Sequence, residues 1–164
     1  MKEVSRAAQL VVLLLVSTVA TGCSGGAPAA FMLKSASVDS PYACPASANN
    51  APYALQAAIE VRNGTSSIVT IKSVAAQMTL AATKGSWLQK VGDKYEAPAL
   101  NFSPGAVGAG SSSSLQVAIP STCTGGSKPG DGSNYGEYSV ELTVVTSSGT
   151  HKITSKNRHR ILAG

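Results

Sequence analysis

The sequence predicts an all-β protein in which two antiparallel sheets pack face to face. Apolar and polar residues alternate with period two over most of the chain after residue 30, which is the pattern of half-buried antiparallel strands. Turn-forming residues such as Asn63-Gly64 interrupt this alternation at short intervals. Charged residues make up only 13% of the chain while Ser and Thr are abundant, and this composition argues against a helical bundle with charged solvent faces.

We expect about seven strands, as in a small β-sandwich. In the first, Phe31–Val38, Phe31 and Leu33 face the core, and a shift of phase brings Ala36 and Val38 to the same side. Ala, Gln, Met and Leu in 54–61 and 74–82 would also suit a helix, but the alternation, the β-branched residues and the flanking turns favour strands. The other predicted strands are 55–61, one bent strand or two strands in 68–83, a short edge strand near Leu100 and Phe102, 115–119, 138–144 and 150–161.

Residues 1–22 have the three parts of an export signal. Lys2 and Arg6 give a positive start, an apolar run covers 7–16, and small residues fill 17–22. This order is typical of a cleaved signal peptide. The apolar run is shorter than the roughly 20 residues that cross the hydrocarbon core of a membrane, so a transmembrane helix is the weaker interpretation.

The end of this segment, Ala20-Thr21-Gly22-Cys23, resembles the lipobox of bacterial lipoproteins. In that family the signal is removed and the cysteine is lipidated, so the resemblance implies that Cys23 is the lipid-modified first residue of the mature protein. Ala20 stands where the family most often has Leu. Several acyl chains give lasting membrane attachment, whereas one chain alone is marginal. The alternative is an ordinary secretory signal followed by a chance cysteine.

This interpretation divides the chain into a signal peptide at 1–22, the lipidated cysteine with a flexible tether at 23–30, and a β-sandwich domain at 31–164. The small, uncharged residues of the tether let a folded domain stand off the membrane. The protein is therefore expected in the cell envelope, anchored by lipid outside the cytoplasm. The Ser24 that follows the cysteine implies the outer membrane if the organism is Gram-negative.

The remaining cysteines predict a disulfide. Once Cys23 is assigned to lipid, two cysteines remain, Cys44 and Cys123. An even number of cysteines in an oxidising compartment is expected to pair. A bridge between them would stabilise the fold by roughly 4–5 kcal/mol in the loop-entropy model. Free thiols or a metal pair are the alternatives, although the absence of Cys-x-x-Cys and His-x-His spacings argues against zinc.

The run Asn134-Tyr135-Gly136-Glu137-Tyr138, just before the penultimate predicted strand, resembles the tyrosine corner of immunoglobulin-like domains. The resemblance covers 30–162 and implies an immunoglobulin-like antiparallel β-sandwich. In such domains a tyrosine at the start of the penultimate strand ties back to the preceding loop. It also implies that the loops holding Cys44 and Cys123 lie at the same pole of the sandwich. Fold resemblance of this kind carries almost no functional information.

No set of residues in the sequence predicts catalysis. His151 and His159 fall on the last predicted strand with even spacing, so we expect both on one face, exposed to solvent or at the rim. No Gly-x-Ser-x-Gly elbow accompanies them. Asp131-Gly132-Ser133-Asn134 is similar to a calcium loop but lacks the further acidic ligands, and a plain polar turn is the better interpretation. We therefore expect no enzyme activity, no cofactor and no metal.

Basic residues are concentrated near the end of this chain, whose net charge is +5. Alternation places Lys152, Lys156, Arg158 and Arg160 on one face of the last predicted strand. This basic face could contact anionic headgroups, cell-wall polymers or an acidic partner. Alternatively, the charges only prevent edge-to-edge pairing of a terminal strand, which is the interpretation we favour. The predicted compartment excludes nucleic acid as a partner.

The function that these patterns predict is a non-enzymatic binding or structural module of an envelope lipoprotein. Its partners would be the membrane, through the lipid, and another envelope protein or an anionic envelope polymer. The polar loops around Cys44 and Cys123 and the basic last strand are the expected contact surfaces. The alternative is a carrier or chaperone-like module of an envelope machine, which would show an apolar groove or an open sheet edge. A hydrolytic enzyme is the weakest interpretation.

Overall fold

The computed structural model describes residues 29–39, 41–125 and 133–163, and these form strands without helices. The predicted all-β class is confirmed. The predicted signal peptide, Cys23 and Asp131 lie outside the described residues. The strands are β1 Phe31–Val38, β2 Tyr42–Ala43, β3 Ala51–Asn63, β4 Val69–Lys84, β5 Lys94–Pro98, β6 Asn101–Ser103, β7 Ala106–Val107, β8 Ser112–Cys123, β9 Asn134–Thr146, β10 Gly149–Thr154 and β11 His159–Ala163.

The order of the strands is that of an immunoglobulin-like sandwich. One sheet has the order β1-β3-β8-β6, and the other has the order β2-β11-β9-β4-β5, with β10 also paired to β9 and β7 to β4. These orders correspond to strands A-B-E-D and G-F-C of an immunoglobulin domain, with β5 added beside strand C. The short β2–β11 pairing is parallel, and the other pairings are antiparallel. The predicted immunoglobulin-like antiparallel β-sandwich is therefore confirmed.

Alternate residues of the long strands meet between the two sheets and form the core. In β9, Tyr138, Val140, Leu142 and Val144 are buried, and the residues between them are half-buried. Burying a large aliphatic side chain of this kind stabilises a fold by about 1.5–3 kcal/mol. The alternation that predicted the strands is therefore also what builds the core.

Two irregularities in the alternation are β-bulges. The register between β1 and β3 shifts between Leu33 and Ser35, so that Ala36 lies on the buried side, as predicted. A similar shift between Ile71 and Ser73 in β4 keeps the strand continuous while its inward face changes phase. An extra residue in one strand of a pair moves the following side chains to the opposite face. The segment that was expected to be one bent strand or two is therefore one strand.

The last predicted strand is instead two strands, β10 and β11, with 155–158 between them. The Asn157 side chain accepts a hydrogen bond from the Val38 N–H (3.0 Å) and donates one to the Val38 carbonyl (2.8 Å). The backbone N–H of Lys156 donates to the carbonyl of Ala36 (2.8 Å). The segment leaves β9 because these bonds attach it to the edge of β1, and they join the two sheets along one side.

The described chain begins beside the β3–β4 turn, at the end of the sandwich that we call the entry pole. The Asn63 side chain is fully buried, and its amide donates to the carbonyls of Ser67 (2.8 Å) and Val107 (3.0 Å), which confirms the predicted turn. The Gly64 N–H donates to the Ala30 carbonyl (2.9 Å). The position of the entering chain is therefore fixed by this turn.

Candidate functional site

The end of the sandwich opposite the entry pole is closed by a bridge between Cys44 and Cys123, and we call it the disulfide pole. Cys44 follows β2, Cys123 ends β8, and their Cα atoms are 5.9 Å apart, within the range of disulfides. The predicted disulfide is confirmed, and it joins the two sheets. The expectation that Cys123 lies in a loop is wrong, because β8 continues past Pro120, which pairs with Ala54 beyond the stretch bonded to β6.

A cavity of about 370 Å³ opens at the disulfide pole beside Cys123. Its volume lies in the usual range of small-molecule sites, roughly 300–1,000 Å³. Two aromatic rings share the lining with amide and hydroxyl groups, and within 29–39, 41–125 and 133–163 no lining residue is an acid, a lysine, an arginine or a histidine. The cavity thus lies among the polar segments that the sequence indicated as a contact surface. Its aromatic and polar lining includes Asn50, Trp87, Gln89, Thr122, Asn134 and Tyr138.

Trp87, the one tryptophan of the chain, lies in the β4–β5 loop and packs on the backbone of β9. A Cβ added to Gly136 would come within 2.5–2.7 Å of three atoms of the indole. The absence of a side chain at Gly136 is therefore what allows the ring to lie there. Sequence reasoning did not select Trp87. The available signals were a lone tryptophan in a loop and a glycine inside a strand.

Tyr138 links Trp87 to Gln89. The indole N–H donates to the Tyr138 hydroxyl (3.3 Å), and the hydroxyl donates to the side-chain carbonyl of Gln89. Burial raises the pKa of Tyr138, so the hydroxyl stays protonated. The expectation that Tyr138 ties back to the loop preceding its strand is corrected. Among the described residues it bonds the β4–β5 loop, because β9 already begins at Asn134 and Tyr138 pairs with Leu80 of β4.

A second polar group lies between the sheets and consists of Asp39, Tyr53 and His159. The Tyr53 hydroxyl is 2.9 Å from Nε2 of His159, and Nδ1 of His159 is 3.1 Å from a carboxylate oxygen of Asp39. Burial lowers the pKa of His159, and Asp39 acts in the opposite direction. Burial also raises the pKa of Tyr53. Because Nε2 of His159 faces the Tyr53 hydroxyl, which stays protonated, this group is suited to joining β1, β3 and β11 rather than to nucleophilic attack.

The strand register places both histidines on one face, as predicted, because His151 pairs with Val144 and His159 with Tyr138. The expectation that this face is exposed or at the rim is wrong, since both partners are buried residues of β9. None of the surface of His159 is accessible, and its ring lies between Asp39 and Tyr53. His151 lies on β10, half-buried, with its ring 5.1 Å from that of Phe31. The two histidines therefore occupy separate environments.

The predicted basic residues lie on β10, β11 and the segment between them, and three of the four pair with glutamates of β9. Lys152 lies 2.9 Å from Glu141, and both arginines contact Glu137. The hydrogen bond from Arg160, with a smaller effect of Arg158, holds the pKa of Glu137 below its usual value. Lys156 is exposed and has no ion pair with any carboxylate in the described ranges. The four positions are Lys152, Lys156, Arg158 and Arg160.

Metal-ligating side chains are dispersed over the fold. Within 29–39, 41–125 and 133–163, no group of three or more His, Cys, Asp or Glu side chains could hold a metal ion. In the same part of the chain, no helix has the length and apolar character needed to cross a membrane.

Comparisons with known proteins find similarity at the level of structure. No family model and no curated protein sequence matches the chain. One similar solved structure is the ASH/PapD-like domain of human CEP192 (PapD-like domain 7), with 13% identity, a TM-score of 0.34, and coverage of 100% of this chain and 97% of that one. Another is Spo0M, a sporulation control protein from Bacillus subtilis, with 15% identity, a TM-score of 0.27, and coverage of 80% of this chain and 51% of that one. Because both TM-scores are low, the fold assignment rests on the strand order described above.

Proposed function

We propose that this protein is a lipid-anchored lipoprotein of the cell envelope and that its β-sandwich is a non-enzymatic binding module. The charged start, the apolar run and the lipobox-like end of 1–23 support the anchor. The bridge between Cys44 and Cys123 supports folding in an oxidising compartment outside the cytoplasm. The observation that carries the binding role is the cavity at the disulfide pole, whose described lining residues are aromatic or polar and carry no charge.

The proposed anchor and the cavity belong to opposite ends of the sandwich. Phe31 pairs with Asn63 at one end of β3, and Cys123 pairs with Ala51 at the other. The 13 residues of β3 span about 40 Å at roughly 3.3 Å per residue. A domain tethered through Cys23 would therefore hold the cavity away from the membrane surface, where it is open to ligands or partners.

The side chains at the cavity favour binding over catalysis. In the part of the chain that the structure describes, its lining offers no carboxylate, imidazole or amine that could serve as a general base near neutral pH. A carrier of apolar cargo would be better served by a wholly apolar groove, whereas amides and hydroxyls suit a polar ligand. The proposed contact with an anionic envelope polymer would centre on Lys156, since Glu137 and Glu141 offset the charge of the other basic residues.

Removal of the proposed lipid site tests the anchor. The wild-type protein should incorporate labelled palmitate and have the mass of a chain that begins at Cys23, and Cys23→Ala should abolish the label because the acylated thiol is gone. Cys44→Ser is the matched control, since it removes another cysteine and should leave the label unchanged. Either an unlabelled wild-type protein or a labelled Cys23→Ala variant would refute the anchor.

A further inference from the structure

The cavity presents an aromatic surface surrounded by hydrogen-bonding groups. Trp87 both packs on Gly136 and lines the cavity, and Tyr138 lies beside it, joined by a hydrogen bond. The face of an aromatic ring carries negative potential, which attracts the weakly positive C–H bonds of a ligand. Such a surface suits a ring-shaped ligand with C–H faces and polar edges.

The lining also restricts the charge of the ligand. Among the described residues, no acidic or basic side chain lines the cavity. An ion that lost its water on entry would find no opposite charge to offset the cost of desolvation. The ligand that fits this lining is therefore neutral.

Amide groups at the cavity are oriented so that each keeps a donor for a ligand. The Gln89 carbonyl accepts from Tyr138, and its NH₂ group has no partner among the described residues. Oδ1 of Asn134 accepts a hydrogen bond from the Ser86 N–H (2.9 Å). The NH₂ group of Asn134 likewise has no partner among the described residues. The hydroxyl of Thr122 can both donate and accept. Groups of this kind form hydrogen bonds with hydroxyls and with amide carbonyls.

We propose that this cavity binds a neutral saccharide, which packs on Trp87 and forms hydrogen bonds with Gln89 and Asn134. A sugar ring combines a C–H face with hydroxyl edges and carries no charge, so it matches each of the three properties of the lining. The inference rests on the proposed binding role and names its ligand class. Leu88, beside Trp87, has 89% of its surface exposed, so the loop that carries the tryptophan is accessible from solvent.

Trp87 can itself report binding, because the chain has no other tryptophan. The full-length protein, kept in a detergent without a sugar headgroup, would be titrated with the trimer of N-acetylglucosamine, with maltotriose and with the acidic trimer of galacturonate. We expect a saturable change in tryptophan emission with at least one neutral trisaccharide and none with the acidic one. No response to either neutral sugar, or an equal response to the acidic one, would overturn the proposal.

Variants measured by calorimetry locate the site. Trp87→Ala should weaken binding by more than roughly tenfold, as expected for a central aromatic contact, and Gln89→Ala should weaken it to a smaller extent. Trp87→Phe keeps a ring on Gly136 and should bind with intermediate affinity, which protects the test if the alanine variant fails to fold. Gln116→Ala, an exposed glutamine of β8 outside the cavity, is the matched control. Wild-type affinity in the folded Trp87 and Gln89 variants would refute the site.

A failure of the saccharide proposal can be distinguished from a failure of the proposed anchor or of the proposed binding role. Cys23→Ala alters no cavity residue, so it should bind the saccharide with wild-type affinity whether or not the palmitate experiment succeeds. Crosslinking of another envelope protein to the disulfide pole, with no response to any neutral saccharide, would overturn this ligand class and leave the binding role intact.

Discussion

His159 is held between the Asp39 carboxylate and the Tyr53 hydroxyl, with none of its surface exposed. Because the ring has lost its water, the neutral form is favoured and the pKa falls below 6.5. Asp39 opposes this shift without cancelling it. As the pH falls, the unfolded chain therefore binds a proton at this histidine more readily than the folded protein does.

The free energy of unfolding should be highest above pH 6.5 and decrease as the pH falls below it, by at most about 1.4 kcal/mol per pH unit from this one group. Urea unfolding between about pH 7.5 and 5.5 measures the effect in the range where a histidine titrates. Glu137, whose pKa is lowered, titrates below this range. His159→Gln should flatten the dependence, and His151→Gln, outside this group, should retain most of it. Equal wild-type stability across the range would contradict the prediction.

At the residue scale, sequence patterns predicted local features and missed distant ones. The Asn63-Gly64 turn and the change of phase before Ala36 involve neighbours in the chain, so composition and alternation indicate them. The burial of His159 depends instead on contacts such as that with Tyr53, a residue 106 positions away. No local pattern carries that contact.

At the scale of elements, 155–158 is the segment that joins the edges of the two sheets. The backbone of Ser155 still bonds Val140 of β9 (2.9 Å), and the next residues move to β1. Asn157 provides two of the bonds at this junction because its amide can accept and donate at once. The segment therefore closes one side of the sandwich, where β1 would otherwise present an open edge.

Asn157→Ala removes both side-chain bonds to Val38 and should lower the free energy of unfolding by about 1–3 kcal/mol, since a partly buried donor and acceptor lose their partners. Chemical unfolding compared with wild type measures the loss. Asn101→Ala, at an exposed position of β6, should change stability by less than about 0.5 kcal/mol. Similar losses in both variants would show that the junction contributes little.

The elements that sequence reasoning missed are short or exposed. β2 and β7 have two residues each, too few to show any periodicity. Of the five residues of β5 only Ala97 is buried, so its alternation carries almost no apolar signal. The long predicted strands are present because each contains several inward-facing apolar residues, whereas the last predicted strand is divided into β10 and β11.

At the scale of the whole molecule, the bridge between Cys44 and Cys123 holds the two sheets together at the pole that carries the cavity. Cys44→Ser should expose a free thiol at Cys123 and destabilise the protein by about 2–5 kcal/mol, because a loop of 79 residues is no longer closed. Thiol labelling and thermal unfolding measure the two effects. The Cys44→Ser/Cys123→Ser variant should be destabilised to a similar extent and should not respond to reductant. An unreactive Cys123 or an unchanged melting temperature in Cys44→Ser would contradict the prediction.

The fold could be predicted from the sequence, whereas the cavity could not. The sandwich follows from alternation repeated along many strands, and the strand order agrees with the resemblance to immunoglobulin-like domains. The cavity depends on Trp87 meeting Tyr138 and Gly136 across sequence separations of about 50 residues, and no single segment contains that information. Sequence reasoning therefore indicated the pole where the cavity lies, through Cys44 and Cys123, without indicating the residues that line the cavity.

The two described ends of the chain differ in how they can be used experimentally. Ala163 lines the cavity, whereas Ala30 lies at the entry pole against Gly64. A reporter or affinity tag fused after β11 would emerge at the mouth of the cavity and compete with a ligand for space. Immobilisation of the domain through its N-terminal side on a sensor or resin would reproduce the proposed orientation in the envelope and leave the cavity open to the solution.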